Sequence, residues 1–109
     1  MSGYLAALAL TLVIEVQLVA LVYPGQRRRM AAWCAAASTF THLAMHFALP
    51  RLFSGSGLLV AGELAALSVE AIVYALASRP RDGARGLLAS ALANGASFGV
   101  GLLVLRPFA

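Results

Sequence analysis

The sequence predicts an all-α integral membrane protein: a four-transmembrane-helix bundle of up-and-down antiparallel topology, forming one domain over residues 1–109. Three observations carry that reading. First, hydrophobic residues make up 61% of the chain and charged ones 11%, with a mean hydropathy of +0.88. A soluble domain carries roughly a quarter charged residues, so this chain lacks the polar atoms to cover its own surface in water. Second, four apolar stretches each approach the ~20 residues that a helix needs to cross the hydrocarbon core. Third, a proline closely follows every stretch, at Pro24, Pro50, Pro80 and Pro107, and proline stops a helix through its missing amide and its clash with the preceding turn.

The first span, residues 3–23, has no basic leader region and is followed at once by Arg27, Arg28 and Arg29. It is therefore expected to stay in the mature chain rather than be cleaved as a signal peptide. The second and third spans are expected at residues 30–49 and 57–78, and the fourth at 86–105. Short connections make consecutive helices antiparallel neighbours. Barrel strands would alternate in polarity, and runs such as 58–60 and 102–105 do not. Six arginines fall in the first and third connections (Arg27, Arg28, Arg29, Arg79, Arg81, Arg85) against Arg51 and Arg106 elsewhere. Positive charge marks the cytoplasmic side, so both termini are expected outside a membrane expected to be the bacterial cytoplasmic one. Tyr4, Tyr23, Trp33 and Phe53 are expected as interfacial anchors. Gly95 and Gly99 form a Gly-x-x-x-Gly pair, expected to pack within the bundle rather than across a homodimer seam.

Charge and composition exclude several classes. The pI near 10.2 comes from arginines scattered among connections, with no interleaved aromatic platform, which argues against nucleic acid as a partner. The single cysteine, Cys34, forms no internal bridge and is expected to pack inertly.

Three of the four acids, Glu15, Glu63 and Glu70, lie inside spans, and only Asp82 is a loop acid. An acid at a membrane helix centre costs about 2.5 to 3.5 kcal/mol, which makes each a functional-site hypothesis. With a rise of 1.5 Å per residue, Glu15, Glu70, Asn94 and His42 fall within about 4 Å of the midplane, while Glu63 and His46 form a second level roughly 7 to 10 Å outward. Helical phase groups them as stripes: Cys34, Ser38, His42 and His46; Glu63, Glu70 and Tyr74; Ser90, Asn94 and Ser97; and Thr11 with Glu15. Turned inward, the stripes predict a buried Glu/His/Asn cluster of Glu15, His42, Glu63, Glu70, Asn94 and His46.

His42 and His46, spaced i, i+4, could present two nitrogens to a divalent metal ion completed by Glu63 or Glu70, and the equal alternative is that they hydrogen-bond to glutamate side chains or lie in the outer vestibule. The Glu-x-x-His pair of carboxylate-bridged di-iron bundles is absent after each glutamate. In length, number of spans and the acid of its first span, Glu15, the chain resembles the small multidrug resistance transporters. That resemblance implies a glutamate shared between protons and a cationic substrate in an antiparallel dimer. It covers architecture alone: the further acids and histidines in the membrane depart from that family, as does the lack of a tryptophan in the third span.

The leading expectation is a small membrane protein whose cluster binds a proton or metal cation for cation or proton-coupled transport. Glu15 and Glu70 would exchange protons or coordinate the cation, with His42 and Asn94 completing the shell and His46 with Glu63 lining the outer approach. A membrane-embedded metalloenzyme acting on a lipid-soluble substrate is the second reading. A small accessory subunit of a larger membrane complex is the third, and a homodimer stays open.

Overall fold

The computed structural model describes residues 2–47 and 55–104. Every regular element there is a helix: α1 spans Ser2–Val22, a 3₁₀ turn Pro24–Gln26, α2 Arg27–Phe47, α3 Gly55–Ala77 and α4 Gly83–Val104. The second connection with Pro50, Arg51 and Phe53, and the end of the chain with Leu105, Arg106 and Pro107, lie outside the described residues, as does the side chain of Tyr4.

The helix ends follow from local chemistry. Tyr23 leaves the helical region at φ −121° and ψ 68°, because the ring of Pro24 crowds the backbone of the residue before it. The Tyr23 carbonyl then accepts the Gln26 amide at 3.0 Å, closing a tight turn. Asp82 caps α4: its Oδ1 accepts the Arg85 amide at 3.0 Å, satisfying one of the orphan donors of a first turn. Arg27, Arg28 and Arg29 form the first turn of α2 rather than a loop. Arginine is a good helix former, and the Arg29 Nε reaches across to donate to the Ala77 carbonyl at the end of α3 at 2.8 Å.

The helices close into a ring in which α1 packs on α2 and α4, and α3 on the same two. The chain direction turns by 112° between Leu8–Val22 and Pro24–Phe47, so this pair is splayed away from strict antiparallel. Gly86 sets the approach of α3 and α4: a Cβ placed there would meet the Ala71 carbonyl oxygen and the Ala75 amide nitrogen at 2.8 Å. By contrast, a Cβ on Gly95 or Gly99 would meet nothing within 4 Å. The Gly-x-x-x-Gly pair therefore does not pack inside the bundle, because its face of α4 points away from the neighbouring helices.

Two layers fill the interior. An apolar plug of Val19, Tyr23, Met30, Cys34, Tyr74, Ala77, Ala89 and Ala93 lies at the arginine-bearing end. Tyr23 belongs to that plug at 1% exposure, not to an interface, because its position four residues after Val19 carries it onto the inward face. Above the plug the interior is polar: Glu15, Ser38, Thr41, Glu70, Ser90 and Asn94 are buried while Leu21, Phe40, Leu64, Ile72 and Leu103 are exposed. Among the described residues, Val60–Ala77 is by itself long and apolar enough to cross a membrane, whereas Leu8–Val22 and Pro24–Phe47 meet that test only taken together. The three arginines and the polar side chains of α2 lower its hydropathy.

At the arginine-bearing end, Gln26 clamps the first connection to the third. Its Nε2 donates to the Arg79 carbonyl at 2.9 Å and its Oε1 accepts the Arg79 amide at 2.8 Å. Both bonds are exposed, so Gln26→Ala is expected to lower stability by only about 1 kcal/mol, read as a small fall in melting temperature in detergent.

Candidate functional site

Four helices deliver one polar group or more to a single layer. From α1, Glu15 extends its carboxyl inward at 1% exposure. From α3, Glu70, also 1% exposed, brings a second carboxyl alongside the first, within reach of a shared hydrogen bond. From α2, the Ser38 hydroxyl donates to Glu15 Oε1 at 2.6 Å and stands 3.5 Å from Glu70 Oε1. From α4, the Ser97 hydroxyl donates to Glu15 Oε2 at 2.7 Å, and Asn94 Nδ2 donates to Glu70 Oε1 at 3.3 Å. Tyr74 donates its phenol to Glu70 Oε1 at 3.1 Å, and the Thr41 hydroxyl stands 3.1 Å from both Glu70 Oε2 and the Ser38 carbonyl oxygen, with one proton to give to either.

A hydroxyl has one proton, which decides how these contacts are used. Ser38 gives its proton to Glu15, where the distance is near the O–H···O optimum, and only grazes Glu70. The two shortest bonds thus gather on Glu15, and Glu70 is held by longer ones. Asn94 is itself fixed by bonds from Nδ2 to the Ser90 carbonyl at 2.9 Å and the Ser90 hydroxyl at 3.2 Å. Ser90 in turn donates to the Leu67 carbonyl at 2.7 Å, tying α4 to α3 behind the site.

Among the described residues, every donor to the two carboxyls is neutral. Arg29 is engaged by the Ala77 carbonyl and Arg85 lies over the Tyr23 ring at 5.9 Å, both at the far side of the apolar plug. Two buried carboxyls that no basic side chain hydrogen-bonds, among the described residues, cannot both carry charge cheaply, and they call for a proton or a cation between them.

Of the residues expected at the site, Glu15, Glu70 and Asn94 meet. His42 and Glu63 are half-buried and stay outside the hydrogen-bonded cluster, although both lie within electrostatic range of Glu15. His46 is exposed, with its ring edge-on to Phe47 at 4.7 Å between centroids. Among the described residues, no three His, Cys, Asp or Glu side chains gather closely enough to hold a metal ion. The reason is helical phase. An i, i+4 ladder advances about 40° per step, so from Cys34 and Ser38 it winds off the inward face by His46. Thr41, three residues after Ser38, returns to that face. Alternating steps of four and three were the signal for Thr41, and the unbroken ladder of fours obscured it.

A cleft of about 80 Å³ opens between α2 and α3, lined by Phe40, Thr41, Met45 and Val69 among others. Its lining is apolar except at Thr41, whose hydroxyl leads to Glu70. No known protein family, curated protein or solved structure matches the chain.

Proposed function

We propose that this chain is a small four-span integral membrane protein whose Glu15–Glu70 pair binds a proton or a hard cation during cation or proton-coupled transport. The observation that carries the reading is the convergence of two carboxyls from different helices, each 1% exposed, on one Ser38 hydroxyl, with neutral hydrogen-bond donors to both among the described residues. The inverted surface supports the membrane setting: large apolar side chains face outward and carboxyl, hydroxyl and amide groups face inward, the reverse of what water favours. Helices of 21 to 23 residues are about 32 to 34 Å long, enough for the hydrocarbon core. With the arginine-bearing end in the cytoplasm, both termini lie outside.

The atoms able to ligate a metal here are the carboxyl and hydroxyl oxygens, so a metal taken here would be a hard ion rather than zinc or iron. The apolar plug closes the pair off from the arginine-bearing end, and His42 with Glu63 lies toward the other end, where the approach is half-buried. Transport would require the plug to part, which makes the packing of Tyr74 and Met30 the barrier to passage.

Reconstitution in liposomes tests this reading. An imposed pH gradient should drive cation flux through the parent protein, and Glu70→Gln should reduce it at least tenfold. Equal flux in both removes Glu70 from the mechanism, and a fixed partner co-purifying in mild detergent would instead make the chain an accessory subunit.

A further inference from the structure

We infer that the arginine-bearing end of the bundle is a binding face for the headgroups of anionic phospholipids. This rests on the membrane reading above and is independent of the carboxyl pair. The Gln26–Arg79 clamp and the Arg29–Ala77 bond hold the first and third connections together. Six exposed arginines thereby share one end of the molecule. Asp82 is the one acid among them, and its carboxylate already accepts the Arg85 amide. Arg29 is engaged with a carbonyl and Arg85 with the Tyr23 ring. Arg27, Arg28, Arg79 and Arg81 are exposed, and no side-chain partner is found for them among the described residues; Arg79 is held by its backbone alone.

Those four guanidinium groups supply what a phosphodiester needs. Each offers paired N–H donors in a planar fork that matches two phosphate oxygens, with a charge that is never lost. The first turns of α2 and α4 emerge at the same end and add the positive ends of two helix dipoles. The face lies where the helices stop, which is the depth of the headgroups of one leaflet. A headgroup with net negative charge gains from all of these, whereas a phosphocholine brings its own cation into the same field. The arginines thus select lipid as well as set orientation.

The test uses the full chain purified in neutral detergent, with retention of phosphatidylglycerol and phosphatidylcholine compared by native mass spectrometry. Phosphatidylglycerol should be retained in preference, and the preference should shrink as salt is raised. Near an interface each arginine is worth roughly fivefold, so Arg27→Gln with Arg28→Gln and Arg81→Gln should weaken phosphatidylglycerol binding on the order of 100-fold. Phosphatidylcholine retention and melting temperature should match the parent, which shows that the variant is folded. Arg→Lys at the same three positions should keep most of the preference. A triple glutamine variant that still prefers phosphatidylglycerol overturns the inference. So does displacement of the lipid by glycerol phosphate at matching concentration, which would make free phosphate the ligand. Resistance of the parent to carbonate extraction from membranes tests the membrane reading separately: release of the protein sinks that reading, while lost lipid preference in a retained protein sinks only this one.

Discussion

Gly86→Ala is expected to destabilise the protein by about 2 to 3 kcal/mol, while Gly95→Ala, further along the same helix, leaves stability unchanged or slightly raised. At Gly86 the new methyl would sit 2.8 Å from the Ala71 carbonyl oxygen and the Ala75 amide nitrogen, and 3.1 Å from the Ala75 Cα. All three are backbone atoms of α3, so no side-chain rotation relieves the clash and the two helices must separate. Separation would also draw Ser90 from the Leu67 carbonyl and loosen Asn94 over Glu70. At Gly95 the methyl meets open space and replaces the poorest ordinary helix former with the best. Thermal unfolding in detergent should place Gly86→Ala on the order of 10 °C below the parent. Equal melting temperatures for the two variants would show that α3 and α4 do not approach at Gly86.

If the proposed cation flux exists, Glu15→Ala is expected to abolish it and to cost about 3 kcal/mol of stability, whereas Glu15→Gln restores much of the stability without restoring flux. The Glu15 carboxyl is where all four helices meet: it accepts from Ser38 of α2 and Ser97 of α4 and lies against Glu70 of α3. Each lost hydrogen bond costs roughly 0.5 to 1.5 kcal/mol, and a buried hydroxyl left without its acceptor adds to that. Part of the loss is recovered because Ser97 can turn to the Asn94 carbonyl at 3.3 Å, and Ser38 to Cys34 Sγ at 3.8 Å. Glutamine keeps an oxygen for Ser38 or Ser97 and turns an amide toward Glu70, so the layer stays joined. It cannot take up or release a proton, and it offers a cation no charge. Paired unfolding and liposome flux measurements separate the two roles. Flux retained in Glu15→Gln would show that this carboxyl only braces the bundle.

Much of the architecture was legible because its causes are local. Pro24 ends α1 by crowding Tyr23, Asp82 starts α4 with its own side chain, and the long apolar runs leave no room for strands. The meeting of Glu15, Glu70 and Asn94 was also legible, since depth and helical phase place all three in one layer. Local signals misled where the question was which neighbour a face would meet. Gly95 and Gly99 have the spacing of a packing motif, yet the close approach of α3 and α4 falls at Gly86. Tyr23 has the composition and position of an interfacial anchor, yet it closes the apolar plug. His42 and His46 continue a polar ladder that winds away from the interior.

The amino-acid order by itself determined that the described residues are helical, that α1 stops before Pro24 and α3 before Pro80, and that Glu15 and Glu70 lie on the inward faces of α1 and α3. These depend on backbone sterics, capping and periodicity, which act over a few residues. Only the tertiary structure decided that Ser38, Thr41, Tyr74 and Ser97 are the groups that hold the two carboxyls, and that the imidazoles are not among them. Such contacts depend on the rotation of each helix about its axis and on crossing geometry. Those are set by close backbone approaches such as the one at Gly86, and no spacing within a single helix encodes them.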